Sequence, residues 1–308
     1  LAAAAEYREA MAGFALMRNL DLWYASMTIE RLKPTLQSGS DPVMLKRTNK
    51  IQAKAKTRDH LQAFAKMVRM VDGEPRFVSD PPLLVPVEEL LAPDDAHRLE
   101  AQVLTALRGY SRSLASDRRH LLDDYRYVEL ARKVVGVGSV GTRAWVALML
   151  GRDGDDPLIL QVKEAQPSVL QRFTRRSRYA NEGQRVVAGQ RLMQASSDIF
   201  LGWQRVVDLE GASRDFYFRQ LRDWKGSVEI EQMRLEGMTA YGRLCAWTLA
   251  RAHARSGDRI AIAAYLGGGD AFDRALASFA ARYADQNERD HAALQAAADS
   301  GRIAVDLR

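Results

Sequence analysis

The sequence predicts an α+β protein, with a small antiparallel sheet flanked by helical segments. Three observations lead there. The runs Tyr127–Val135, Thr142–Leu150 and Leu158–Lys163 are short, rich in β-branched, aromatic and other apolar residues, and separated by glycine-bearing turns, as neighbouring antiparallel strands require. On either side, apolar residues recur at the three- and four-residue spacing of helices. The chain's 308 residues, 47% hydrophobic and 27% charged, suffice for one large domain or two ordinary ones and do not fit a disordered chain.

Taken in order, residues 1–32 read as helix, with Tyr7, Met11, Phe14 and Met17 at helical spacing and Pro34 just past the end. Gln37 to Pro42 is a loop. Residues 44–71 read as helix again, with Leu61, Phe64, Met67, Val68 and Val71 on one side. The first half of that segment carries Lys46, Arg47, Lys50, Lys54, Lys56 and Arg58; such a run is a solvated face or a contact for a phosphate-bearing partner. Val71 to Pro75 is a turn. Arg76–Val87 is extended, because Pro81, Pro82 and Pro86 disfavour helix. Residues 94–115 return to helix, capped by Asp94 or Asp95. The β-rich stretch follows, broken by a turn at Gly151–Pro157. Residues 178–197 then read as helix, and Asp198–Leu209 and Phe216–Leu221 as strands. From Glu229 the chain is helical, with Met238, Tyr241, Cys245, Thr248 and Ala252 on one stripe and Phe272, Leu276, Phe279 and Tyr283 on another. Three regions result: helical 1–124, a glycine-loop and sheet lobe with one helix at 125–228, and helical 229–308.

Composition narrows the function classes. The lone cysteine, Cys245, permits no intrachain disulfide and no cysteine metal site. Within an apolar helical pattern it reads as a buried, inert thiol. A reducing cytoplasm is the compartment this implies. No apolar run approaches the roughly 18 residues of a membrane span. Leu1-Ala2-Ala3-Ala4-Ala5 lacks the flanks of a signal peptide, and without an initiator Met the chain reads as a piece of a longer protein. The net charge of +6 suits a nucleotide, a phosphorylated substrate or a nucleic acid. The basic 46–58 stretch lacks the interleaved aromatics of a nucleic-acid surface, which makes that partner the least expected.

The sharpest motif is Gly136-Val137-Gly138-Ser139-Val140-Gly141-Thr142, which matches G-x-G-x-x-G. In a dinucleotide fold this pattern opens a helix, and an acidic residue follows about 20 positions on. Here Arg143 to Leu150 is a strand, and the residue about 20 positions on is Lys163. Strand, glycine loop, strand, turn and lysine-bearing strand is the layout of a protein-kinase amino-terminal lobe. Glycines let backbone N–H groups approach phosphate oxygens, Ser139 and Thr142 add hydroxyls, and Lys163 adds a point charge. A polar helix residue must orient that lysine; Glu182 is preferred over Gln184 and Gln190. Gln220, Leu221, Arg222 and Asp223, at the end of a strand, would border the base. The plainer alternative is a β-hairpin with a glycine turn and a lysine at a strand edge.

The rest of a phosphoryl-transfer site does not read out of the sequence. Leu249–Asp258 carries His253 and Asp258, but no Asn follows Asp258 at the interval of a kinase catalytic loop, and no D-F-G follows either. These two residues stand as weak catalytic candidates, with His253 better read as a satisfied histidine near a helix end. The five histidines show no metal spacing.

Ala131–Arg143, Leu160–Ala165, Gly189–Gln194, Arg219–Asp223 and Leu249–Asp258 together resemble hallmark stretches of a bacterial family known as domain of unknown function 2252, over about Tyr7 to the end. The resemblance implies a kinase-like, circularly permuted protein. Family members carry an earlier G-D-x-H-x-x-N-like stretch and an acidic D-x-N-D-x-D-like stretch that resemble the catalytic and metal loops of aminoglycoside-type kinases. This chain matches neither. The expectation is therefore a carboxy-terminal portion that binds ATP with Mg²⁺ but lacks the acidic segment with the Mg²⁺ ligands and catalytic acids, which is either a separate amino-terminal partner or has been cleaved or lost, with an unidentified phosphate acceptor. The alternative is a non-catalytic, pseudokinase-like binding module.

Overall fold

The computed structural model describes residues 1–26, 60–134, 136, 141–221 and 230–305. Along the chain run α1 (Ala2–Leu16), α2 (Asn19–Tyr24), α3 (His60–Met67), β1 (Val68–Val71), β2 (Glu74–Phe77), β3 (Leu84–Pro86), α4 (Val87–Leu90), α5 (Pro93–Ser111) and α6 (Ser116–Asp123). There follow β4 (Arg126–Lys133), β5 (Ala144–Leu150), β6 (Pro157–Ala165), α7 (Glu182–Met193), β7 (Gly202–Val207), β8 (Ser213–Gln220), α8 (Leu235–Ser256), α9 (Arg259–Leu266) and α10 (Ala271–Asp299). The α+β class is what the structure shows. Two compact units divide the chain: its ends, Leu1–Met44 with Glu229–Arg308, and its middle, Leu45–Val228. This division differs from the three sequence-based regions. The first helix joins the last ones, and the residues from α3 to α6 join the sheet.

The middle unit is built on a six-stranded antiparallel sheet in the order β3-β4-β5-β6-β8-β7. Both faces are covered, which explains why β5 and β6 are apolar almost throughout rather than alternating. Leu158, Leu160 and Val162 of β6, with Phe216 and Phe218 of β8, face α5. There Tyr110 stacks on Phe218 at 4.3 Å between ring centroids and donates its hydroxyl to Phe200 O at 2.5 Å. Gly109 leaves the space that Gln204 occupies; a Cβ there would sit 2.4 Å from the Gln204 amide. On the other face Val146, Leu148 and Ile159 pack with Phe64, Met67, Val68, Phe77 and Leu84. Leu148, Leu158 and Leu160 are wholly buried, each stabilising the fold by roughly 2 kcal/mol relative to exposure.

Several elements depart from the sequence-based expectation. The helix expected over 44–71 ends at Met67, and Val68–Val71 pairs with Glu74–Phe77 as a hairpin. The reason lies in Asp72-Gly73, both at positive φ (51° and 82°), the two-residue turn that matches strand twist. Residues 44–59, with the basic stretch, lie outside the described residues. Helix α5 takes Ala92 as its N-cap without a side-chain bond and has Pro93 in its first turn, so Asp94 and Asp95 act on the helix dipole rather than as caps. The short helix α6 was not anticipated. The helix expected over 178–197 is confined to Glu182–Met193, started by Asn181, whose side chain accepts from Gln184 N.

In the unit formed by the chain ends, the helix expected over 1–32 breaks at Met17, which is extended (ψ 148°). The alanine-rich start lies along α8: a Cβ at Gly242 would touch Ala3 at an ordinary 3.6 Å. Met11, Phe14, Leu22, Ala250, Ala254 and Leu266 form the core there. The inward face of α8 is therefore Gly237, Ala246, Ala250, Arg251 and Ala254, not the stripe through Met238 and Cys245. Cys245 is exposed, which corrects its reading as a buried thiol: small residues, not the larger apolar ones, let α1 approach.

Candidate functional site

The glycine loop joins β4 to β5, which are hydrogen-bonded neighbours with Arg132 opposite Trp145. Gly136 and Gly141 both take positive φ, 106° and 79°, in open space where an added Cβ would meet nothing within 4 Å. Glycine is needed at both for the backbone angle, not for room. Gly138 and Ser139 lie outside the described residues, while Thr142 leads directly into β5. On the next strand Lys163 stands opposite Ala144, the first residue of β5 after the loop, and on its other side opposite Tyr217 of β8. The lysine is thus level with the exit of the loop, one strand away.

Side-chain alternation puts Lys163 with Gln161 on the face away from α5. Tyr217, and Trp203 of β7 opposite it, continue the same row. Helix α7 lies across this row. At its end Arg191 sits over the Trp203 ring at 5.8 Å. At its start, the Asp215 carboxylate accepts from Asn181 Nδ2 at 2.9 Å and from Glu182 N at 2.7 Å. Gly183 is pressed on β8, where a Cβ would come within 2.2 Å of Phe216 O. Burial would raise the pKa of Asp215, but the hydrogen bond from Arg205 and that from the Glu182 amide outweigh it and hold the carboxyl below its usual range.

Lys163 is half-buried, and burial, with the nearby Arg219 charge, lowers its ammonium pKa. Among the described residues no carboxylate pairs with it. Glu182, expected to orient it, is held by Arg185 three residues on: at the first position of the helix its carboxylate meets the i+3 arginine. The neighbouring acid Glu164 points to the opposite face and is consumed there, accepting from Arg143 N at 3.0 Å and pairing with Arg214 at 3.3 Å. Arg214 also bonds Asp208 at 2.6 Å.

At the end of β8, Gln220 N donates to Asp198 Oδ2 at 2.7 Å and Leu221 N donates to Ile159 O at 2.8 Å. The Gln220 and Leu221 amides of the expected base-bordering segment are therefore engaged, and Leu221 is buried. Arg222 and Asp223 lie outside the described residues. His253 and Asp258 belong to the unit of the chain ends. The Tyr7 hydroxyl is 2.7 Å from His253 Nδ1, and Asp258 caps α9 by accepting from Ile260 N and Ala261 N. Among the described residues no group of three or more His, Cys, Asp or Glu could hold a metal ion, and no helix is long and apolar enough to cross a membrane.

Sequence reasoning missed Asp198 and Asp215, the two carboxylates that fasten β8 and α7. Asp198 lies before β7 and Asp215 within β8, each an isolated acid with no motif around it. Asn181 before a helical run was a legible cap signal.

The molecule is a mixed α+β chain with antiparallel sheets, whose middle unit sets Lys163 opposite the first residue of β5. It belongs to the bacterial family described as "Uncharacterized protein conserved in bacteria (DUF2252)", whose model matches residues 1–297. No curated protein and no solved structure matches it significantly.

Proposed function

We propose that the middle unit is a kinase-like nucleotide site and that the chain is the ATP-binding portion of a phosphotransferase. The observation that carries this is the placement of Lys163, an ammonium with no carboxylate partner among the described residues, level with the end of a loop whose glycines take positive φ. The order of parts supports it: a glycine-loop hairpin, a lysine strand beside it, one helix packed over the lysine face, then two more antiparallel strands, as in a protein-kinase amino-terminal lobe. An anion is the natural partner for a partly desolvated lysine with no carboxylate partner among the described residues.

Phosphate fits the residues present; Mg²⁺ does not, because no carboxylate cluster stands among the described residues. When bound, the metal would neutralise phosphate charge. In this account its ligands and the catalytic acid come from a separate amino-terminal segment. The adenine contact falls to groups other than the Gln220 and Leu221 amides, which are occupied. A second reading, a pseudokinase-like binding module without turnover, is favoured by the commitment of Glu182 to Arg185.

Thermal denaturation with ATP and with ATP plus Mg²⁺ tests binding. At a nucleotide concentration of about 100 Kd the native state gains about 2.7 kcal/mol. Lys163→Ala should remove most of that gain, and an unchanged gain would count against the site. Phosphate release or transfer by the wild-type chain separates the catalytic reading from the pseudokinase-like one.

A further inference from the structure

We propose that the connection between β6 and α7 is a docking surface for an anionic phospholipid bilayer, independent of any nucleotide. From Ala165 to Asn181 the chain carries Arg172, Arg175, Arg176 and Arg178 and no acidic residue. All four arginines are exposed, and among the described residues none pairs with a carboxylate; Arg178 bonds only its neighbour, the Tyr179 hydroxyl, at 3.2 Å. The same segment holds three large apolar side chains out in solvent: Val169 at 76%, Leu170 at 60% and Phe173 at 84% exposure. An apolar tip ringed by cations on one short loop matches the chemistry of an interfacial anchor. The tip enters the acyl boundary while the guanidinium groups meet headgroup phosphates.

The loop is shaped to present these groups. Ser168 caps a 3₁₀ turn, Val169–Arg172, accepting from Leu170 N. Phe173 N and Thr174 N both donate to Leu170 O at 2.9 Å. Its ends are clamped by Arg185, donating to Gln166 O at 2.9 Å, and by Arg205, donating to Ala180 O at 2.7 Å. A loop so tied holds Leu170 and Phe173 outward at little further ordering cost on binding. Single-stranded nucleic acid would use the same charges, but it calls for several stacking aromatics, and Phe173 is the only exposed one in the segment. Surface binding of this kind needs no spanning helix.

Co-flotation with phosphatidylcholine vesicles, with and without phosphatidylserine, tests it. The wild-type chain should float only with the phosphatidylserine vesicles and be released by high salt. Replacing the four arginines by glutamine should weaken binding by roughly fivefold per residue, the corresponding lysine variant should retain it, and Phe173→Ser should weaken it without altering the salt dependence. Because these side chains are exposed, the thermal midpoints should match wild type. Failure of the wild type to float with phosphatidylserine, equal flotation of the glutamine variant, or capture by a poly-uridine oligonucleotide with no vesicle binding would each overturn the proposal.

Discussion

Lys163 is the residue on which the proposed nucleotide site turns, and its environment has a pH consequence. Burial and Arg219 depress its folded pKa, so between that value and the unfolded value of about 10.4 the unfolded chain binds more protons. Stability contributed at this position therefore rises with pH through that window. Urea denaturation in mildly and strongly alkaline buffer should show the wild type gaining on Lys163→Met as pH rises; a constant difference between the two would argue against a desolvated ammonium. The loop glycines make a separate prediction. Gly136 and Gly141 sit at positive φ in open space, so alanine at either should cost about 1–2 kcal/mol in conformational strain alone. Gly154→Ala, at a turn where neither space nor φ is restrictive, should leave stability within about 0.5 kcal/mol in the same denaturation experiment.

Helix α7 is the element whose seating decides whether the lysine row is covered. Gly183→Ala would drive a Cβ into Phe216 O at 2.2 Å, forcing the helix off the sheet at a cost of about 2–4 kcal/mol. Gly189→Ala on the same helix meets only the Met193 methyl at 3.8 Å and should stabilise by about 0.5–1 kcal/mol. Equal effects at the two positions, read from urea midpoints, would contradict the packing described. Strands β4, β5, β6 and β8 were legible in the sequence because apolar runs between glycine turns have few other solutions. The ends of α7 were less so: Arg175, Arg176 and Arg178 continue a helix-compatible pattern, yet the Asp215 carboxylate and Asn181 fix the start at Glu182. The hairpin at Val68–Val71 was hidden because Met67, Val68 and Val71 also satisfy helical spacing. The partner of Glu182 was not readable either, since an i+3 arginine competes with a lysine on a distant strand.

For the whole molecule, the chain ends form a helical unit in which a partly exposed arginine pairs with a buried carboxylate. Arg8 bonds Asp273 Oδ2 at 2.9 Å, and Asp273 is only 2% exposed. Removing the cation by Arg8→Met should lower the thermal midpoint, because the Asp273 carboxylate remains buried without its partner; calorimetry checks this. The small residues that bring α1 against α8 were visible as an alanine run, but their partner surface was not, because the larger residues of α8 made a more conspicuous stripe. In the middle unit, the part of the candidate region readable beforehand was the order of strands that sets Lys163 opposite Ala144. The engagement of the Gln220 and Leu221 amides was not, since it depends on Asp198, some twenty residues earlier in the chain, and on the carbonyl of Ile159 in β6. The most direct test of the central claim uses an acyl-phosphate derivative of ATP. A neighbouring amine attacks the acyl carbonyl, forming an amide and releasing ATP, and peptide mapping then locates the label. Lys163 should carry the acyl group and be protected by excess ATP; labelling only at other lysines, or labelling of Lys163 that ATP does not block, would contradict a nucleotide site at this loop.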